Sequence, residues 1–296
     1  MKDEIKKYLV YDGRVSVAIA RTTEMVEKYR SEQDLTPTTT AVMGRFLTMA
    51  GLMGHTDMKG EDSSITIQMD GKGPIEGITA VVKKQGDIAV VKGYCNNPAV
   101  ELPLKSNGKI DVSGAVGIDG FLNVIYETNG KQGYKGVIPI VSGEIAEDFT
   151  NYFATSQQTP NVVALGVLVN KDGVVASGGY KIELMPDATD DDITRLENAV
   201  KSAPSISTLI EQGKSLDEIV EIVTGDSNSM VLAKELKIEY KCDCNKGKFA
   251  SGLKALGKTE LQKAIDEQGE IEAVCRFCNH KYKFTKEDIL KIINEK

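Results

Sequence analysis

Four of the chain's five cysteines lie in its last fifth, in two tight pairs. They are Cys242 and Cys244 in "KCDCN" and Cys275 and Cys278 in "CRFC", with thirty residues between the pairs. No other feature limits the fold as strongly. Thiolates at this spacing hold Zn²⁺ tetrahedrally, two from each of two loops. The same spacing also lets each pair approach disulfide distance within its own loop. Four buried structural cysteines with no metal are a third reading. The start of the chain, "MKDEIKKYLV", is charged and lacks the apolar stretch of a secretory signal. The chain is therefore expected to be cytoplasmic, where thiols stay reduced. Paired cysteines there read as metal-binding or redox-active before they read as permanent disulfides. The first pair has one spacer residue, so generic zinc-ribbon spacing fits it only loosely. His280 is an alternative ligand, but four sulfurs already complete a tetrahedron. Cys95, alone in "KGYCNNP", reads as a small half-buried hydrophobe.

The same cysteines support two chemistries. A purely structural zinc site is one. In the other, zinc keeps the thiols deprotonated, and the thiolate is the form that oxidants attack. Oxidation then removes the ligands and releases the metal, and a small unit that depends on the metal loses its fold. Spacing does not separate the two.

The chain has 296 residues, 41% hydrophobic and 27% charged, enough for two or three domains. Its net charge of -7 gives no strong pull towards nucleic acid or anionic lipid. The most apolar run, "AVMGRFLTMAGLMGH", is interrupted by Arg45 and rich in glycine, so no membrane span is expected.

Residues 1–184 predict an α+β domain with a mixed, largely antiparallel sheet and packed helices. Strand signals recur in "RVSVAIA", "SITIQMD", "GITAVVKK", "DIAVVKGY", "FLNVIYET" and "VVALGVLVN". Turn dipeptides at Asp12-Gly13, Asn107-Gly108, Asn129-Gly130 and Asp172-Gly173 suit tight hairpins. One helix is predicted from about Pro37, with Val42, Phe46, Met49 and Met53 on one stripe. Another starts near Ser142 and carries Ile145, Phe149, Tyr152 and Phe153. "SGGY" at residues 177–180 suggests a bulge in a strand. Residues 185–230 read as a helical linker. Asp190, Asp191 and Asp192 suit a helix's first turn, and Ser215-x-x-Glu218 is a capping box. These helices have too few apolar residues for a core of their own. Residues 231–296 are assigned to a small zinc-binding domain, in which Leu236, Ile238 and Tyr240 alternate into the first cysteine pair and Thr285 caps a last helix. A unit of that size needs a metal or disulfides.

"GLKALGKT" at residues 252–259 matches a phosphate-loop pattern letter for letter. A true phosphate loop follows a buried strand and opens a helix. Here "CNKGKFAS" precedes it, and Leu253 to Leu256 continue a helical pattern from Phe249. Gly257 reads as a helix terminator and Thr259-x-x-Gln262 as the next cap, so no nucleotide is expected. With two histidines, His55 and His280, and no nucleophile motif, nothing resembles an assembled active site and no catalysis is expected.

Three stretches now combine: "EDFTNYFATSQQTP", "SGGYKIELMP" and "CDCN" with "CRFC". In this order and spacing the chain resembles the heat-shock protein 33 family over essentially its whole length, and the single spacer residue is the family's own. Gln157 departs from the family's usual Glu, which puts in doubt any role for a charge there. The resemblance implies a cytosolic, ATP-independent holdase. When reduced, it holds one Zn²⁺ through Cys242, Cys244, Cys275 and Cys278 and is inactive. When oxidised, it forms Cys242–Cys244 and Cys275–Cys278 disulfides, loses zinc, unfolds its linker and binds unfolding client proteins as a homodimer. Ile193, Leu196, Ile219 and Ile222 are the apolar linker residues nominated for client contact. The competing reading is a constitutive zinc-stabilised binding module without a redox switch.

Overall fold

The computed structural model describes residues 2–58 and 62–294. The chain divides into two compact units, Met1–Lys241 and Cys242–Lys296.

The first unit is built on a ten-stranded sheet. Its strands are β1 (Glu4–Val10), β2 (Val15–Arg21), β3 (Ser63–Asp70), β4 (Ile78–Gln85), β5 (Ile88–Cys95), β6 (Phe121–Thr128), β7 (Lys131–Pro139), β8 (Asn161–Asn170), β9 (Gly173–Leu184) and β10 (Val231–Tyr240). Their order is β7-β6-β3-β4-β5-β10-β1-β2-β9-β8. Every neighbouring pair is antiparallel except β10 with β5, in agreement with the α+β, largely antiparallel expectation. Tight turns at Asp12-Gly13, Asn129-Gly130 and Asp172-Gly173 join consecutive strands, with Asn129 at φ 53° and Gly13 at φ 90°. Asn107-Gly108 is different. It closes a loop in which the Lys105 N–H donates to the Lys109 carbonyl and joins no two strands.

One sheet face carries α1 (Thr23–Gln33), α2 (Pro37–Thr56), α3 (Val112–Val116) and α4 (Ala146–Ser156) over the larger core. Thr36 caps α2 by accepting the Thr39 N–H at 3.2 Å, and Pro37 pre-sets the first turn. Val42, Phe46, Met49 and Met53 are fully buried, as their spacing predicts. The helix expected near Ser142 begins at Ala146. Asp148 is fully buried and accepts the N–H groups of Val141, Ser142 and Ile145 at 2.8, 3.0 and 3.0 Å. That carboxylate holds the entry loop and delays the first turn.

Over β1, β2 and β9, the opposite face carries α5 (Asp190–Ser202), α6 (Ile206–Glu211) and α7 (Leu216–Thr224). Capping boxes open α5 at Thr189 and α7 at Ser215, and Gly225 in the left-handed region ends α7. These helices do lean on something else. Leu196, Leu209, Leu216, Ile219, Val220 and Val223 are buried in one cluster with Tyr8, Val17, Ile19, Tyr180 and Ile182 of the sheet. Polar ties fix them as well. Arg14 donates to Asp192 at 2.7 Å, and the Tyr8 and Tyr11 hydroxyls donate to Asp217 and the Thr224 carbonyl.

Two expectations need correction. Residues 231–240, assigned from sequence to the zinc-binding domain, form β10 inside the large sheet. Its Leu236, Ile238 and Tyr240 face the apolar core, and it pairs with β1 and β5. The boundary of the second unit therefore falls at Cys242. "SGGY" is not a bulge, because β9 pairs with β2 without a break from Gly178 to Leu184. The glycines instead allow close approach. A Cβ on Gly178 would lie 2.5 Å from the Ala20 carbonyl oxygen and 2.4 Å from Ile210 Cδ1. Gly178→Ala is expected to destabilise the first unit by about 1–3 kcal/mol through overpacking. An unchanged urea midpoint would contradict this reading.

Within the second unit, α8 (Lys246–Lys254) and α9 (Lys258–Gln268) precede a hairpin of β11 (Glu270–Val274) and β12 (Lys281–Thr285), followed by α10 (Lys286–Asn294). Its core is small: Leu261, Ile265, Phe284, Ile289 and Ile292. Thr285 opens α10 as expected, its hydroxyl accepting the Asp288 N–H at 3.3 Å while Asp288 accepts the Thr285 N–H at 3.2 Å.

Candidate metal centre

Two loops bring the four cysteines together. The first, immediately before α8, is shaped by local polar ties. Asn245 accepts the Lys248 N–H at 3.0 Å and caps α8, and Lys248 Nζ reaches back to the Asp243 carboxylate at 2.6 Å. The second is the tip of the β11–β12 hairpin. The Cys275 N–H donates to the His280 carbonyl at 2.9 Å, the Asn279 N–H donates to the Cys275 carbonyl at 2.8 Å, and Asn279 takes φ 55°. This tight knuckle turns Cys275 and Cys278 to the same side.

The four Sγ atoms lie within 4.8 Å of one another. Cys242 is 3.7 Å from Cys275, and Cys244 is 3.4 Å from Cys278. A disulfide needs about 2.05 Å, and all five cysteines are free thiols. With Zn–S bonds of about 2.3 Å, the edge of a ZnS₄ tetrahedron is about 3.8 Å, so the donor set and its spacing fit that ion. Cys275 is buried and the other three are half-buried.

Electrostatics point the same way. Burial pushes the Cys242 thiol up to about 11 and raises Cys278 well above the ordinary thiol range. Burial also opposes ionisation of Cys244, but the Tyr282 hydroxyl at 3.1 Å and the neighbouring thiols outweigh it and lower its pKa. Burial thus opposes ionisation of Cys242 and Cys278, and a nearby cation would offset it. A bound cation would displace thiol protons, and the four sulfurs could hold one.

His280 is not one of the four. Its ring packs on Tyr282 with centroids 4.6 Å apart. Cys95 lies half-buried on β5 against the larger core, and burial raises its thiol to about 11. The phosphate-loop match covers the end of α8 and the start of α9, with no strand before it. Gly257, at φ 87°, is the residue that precedes α9, so the predicted cap at Thr259 lies inside the helix. Of the nominated client-binding residues, Leu196 and Ile219 are buried in the cluster beneath α5–α7, and Ile222 is packed against it. Ile193 is half-buried and, with Leu196, lines a groove of about 400 Å³ between α5 and the β8–β9 edge. Gln157 ends α4, and its amide donates to the Tyr126 hydroxyl at 2.8 Å. Tyr282 is the residue the sequence reading missed as part of the site. Its place four residues after Cys278 in an alternating strand was the available signal.

A family model described as "Hsp33 protein" matches residues 3–285. The chain belongs to the Hsp33 family. Curated Hsp33 relatives named "33 kDa chaperonin" match it end to end. The one from Staphylococcus haemolyticus is 41% identical over 296 residues, covering 99% of each chain. The one from Acetivibrio thermocellus is 42% identical over 294 residues, covering 99% of this chain and 97% of its own. The solved heat shock protein 33 homologue of Thermotoga maritima superposes with a TM-score of 0.90 at 34% identity, over 99% of this chain and 98% of that one. Membership places the protein among the Hsp33 chaperones. Among the described residues, no helix is long and apolar enough to cross a membrane.

Proposed function

We propose that the protein is a redox-regulated, ATP-independent holdase of the cytoplasm. It is inactive while reduced and zinc-bound and active once oxidised. The observation that supports this best is four free thiols clustered within 4.8 Å in a unit with a very small core. When bound, Zn²⁺ would tie the loop before α8 to the β11–β12 hairpin through Cys242, Cys244, Cys275 and Cys278. Peroxide acts on the thiolates. Two thiolates, one peroxide and two protons give one disulfide and two waters, sulfur losing two electrons and the peroxide gaining them.

The proposed disulfides, Cys242–Cys244 and Cys275–Cys278, lie within loops, whereas the short contacts of 3.7 and 3.4 Å run between loops. Forming them parts the two loops and removes the tie that holds the small unit. The proposed consequence is release of the helical linker. Leu196 and Ile219, buried in the reduced form, join Ile193 and Ile222 as a client-binding surface, and the active form is a homodimer. The protein performs this role without catalysis and without nucleotide.

The test measures zinc content, free thiols and suppression of client aggregation before and after peroxide at mild heat. Zinc loss, loss of four thiols and gain of suppression are expected together. Equal suppression by the reduced and oxidised protein would leave a constitutive zinc-stabilised module as the better reading.

A further inference from the structure

We infer that Tyr282 is a positioning residue of the thiolate cluster, restraining its oxidation through a hydrogen bond to Cys244; this rests on the redox-switch reading. The four sulfurs are not equivalent. Cys275 is buried, and the backbone N–H groups of Cys244 and His280 serve Cys242 and Cys278. Cys244 receives a side-chain hydroxyl, that of Tyr282, at 3.1 Å.

That hydroxyl is held in place. Its strand is registered by the Ala273–Tyr282 pair of the hairpin. Its ring is clasped between Phe249 of α8, 4.9 Å away at 31°, and His280, 4.6 Å away at 58°. The ring needs no hydroxyl for that packing, so the oxygen aimed at sulfur calls for its own account. A thiolate accepts hydrogen bonds and donates none, so against Cys244 as a metal ligand the phenol is the donor. The bond draws charge from the sulfur lone pair that attacks an oxidant.

The restrained step is attack of the Cys244 thiolate on the O–O bond of a peroxide. The S–O bond forms, the O–O bond breaks, and the leaving hydroxide takes a proton to become water. The second thiolate, Cys242 in the proposed pairing, then attacks the sulfenic sulfur. The S–S bond forms and the displaced hydroxide leaves as a second water after taking a proton. Loss of the Tyr282 donor accelerates the first of these steps and leaves the packing intact.

The experiment uses the full zinc-loaded chain and its Tyr282→Phe variant. Peroxide-driven zinc release to a chromophoric indicator is expected to be about three- to tenfold faster in the variant, the scale of one hydrogen bond's typical net contribution. A second readout uses the cobalt(II)-substituted chain, whose sulfur-to-metal charge-transfer band is expected to move to lower energy in Tyr282→Phe. A p-aminophenylalanine side chain at position 282 restores a donor and is expected to return both readouts towards wild type. Wild type that releases zinc while Tyr282→Phe matches its rate and its cobalt band overturns this inference alone. A wild-type chain that holds no zinc, or releases none to peroxide, overturns the switch reading with it.

Discussion

Treated with a strong zinc chelator under reducing conditions, Cys242–Lys296 is expected to lose its amide protection while the ten-stranded sheet keeps its own. The unit has a core of five buried apolar side chains and a hairpin of two five-residue strands. Such a core supplies a few kcal/mol at most, close to the cost of ordering the chain. Structural Zn²⁺ in small units contributes about 10–16 kcal/mol near neutral pH. Removing a term that large leaves nothing to hold α8, α9 and α10 against the hairpin. Hydrogen exchange read by peptide should rise across residues 242–294 to the unprotected rate. Cys275→Ser, which removes the most buried sulfur, should do the same without chelator. If protection across the unit were the same with and without metal, the cluster would not be what holds it.

Lys181→Met is expected to destabilise the first unit by about 3 kcal/mol, read as a shift in urea unfolding. Lys181 is 1% exposed and lies in the middle of β9. Its ammonium is 2.8 Å from Glu183 and 3.2 Å from Asp57, and it sits 3.9 Å from the Phe153 ring centroid. Methionine matches the stem but leaves two carboxylates without their cation. Breaking a buried pair from one side costs about 3–5 kcal/mol. The lower end applies here, since the Asp57 and Glu183 side chains keep 11% and 20% of their exposure. Adding Asp57→Asn to the variant should recover part of the loss. Lys201→Met, which removes a solvated pair with Glu197, should change stability by less than about 0.5 kcal/mol. Equal effects at the two lysines would show that the buried cluster is no more costly to break than a surface pair.

The sequence made some features plain and hid others, for reasons visible at individual residues. Alternation placed β3 and β6 almost to the residue, because each has one face against the core. The cysteine spacing identified the centre because metal chemistry fixes ligand type and separation within a few residues of chain. Lys181 gave no sign of burial. In "GGYKIELMP" it looks like an ordinary solvent-facing position, and one of its carboxylate partners is Asp57, 124 residues earlier. Tyr282 was read only as a strand alternation, since its partner Cys244 lies 38 residues upstream. The same limit explains β10. Its periodicity was correct, but periodicity does not say which strand receives it, and its neighbours β1 and β5 come from the first third of the chain.

The placement of β10 has a consequence for how the protein is made. The sheet has two parts, β7-β6-β3-β4-β5 and β1-β2-β9-β8, and the strand between them is the last of the ten to leave the ribosome. Until it emerges, β1 and β5 present unpaired edges, the kind of surface that invites pairing with other chains. Its pairing of Glu4 with Lys237 closes a loop over almost the whole first unit, a long-range step that is slow in folding. A chaperone of this architecture thus passes through an aggregation-exposed stage in its own synthesis, which ends as Cys242 follows β10 out of the exit tunnel.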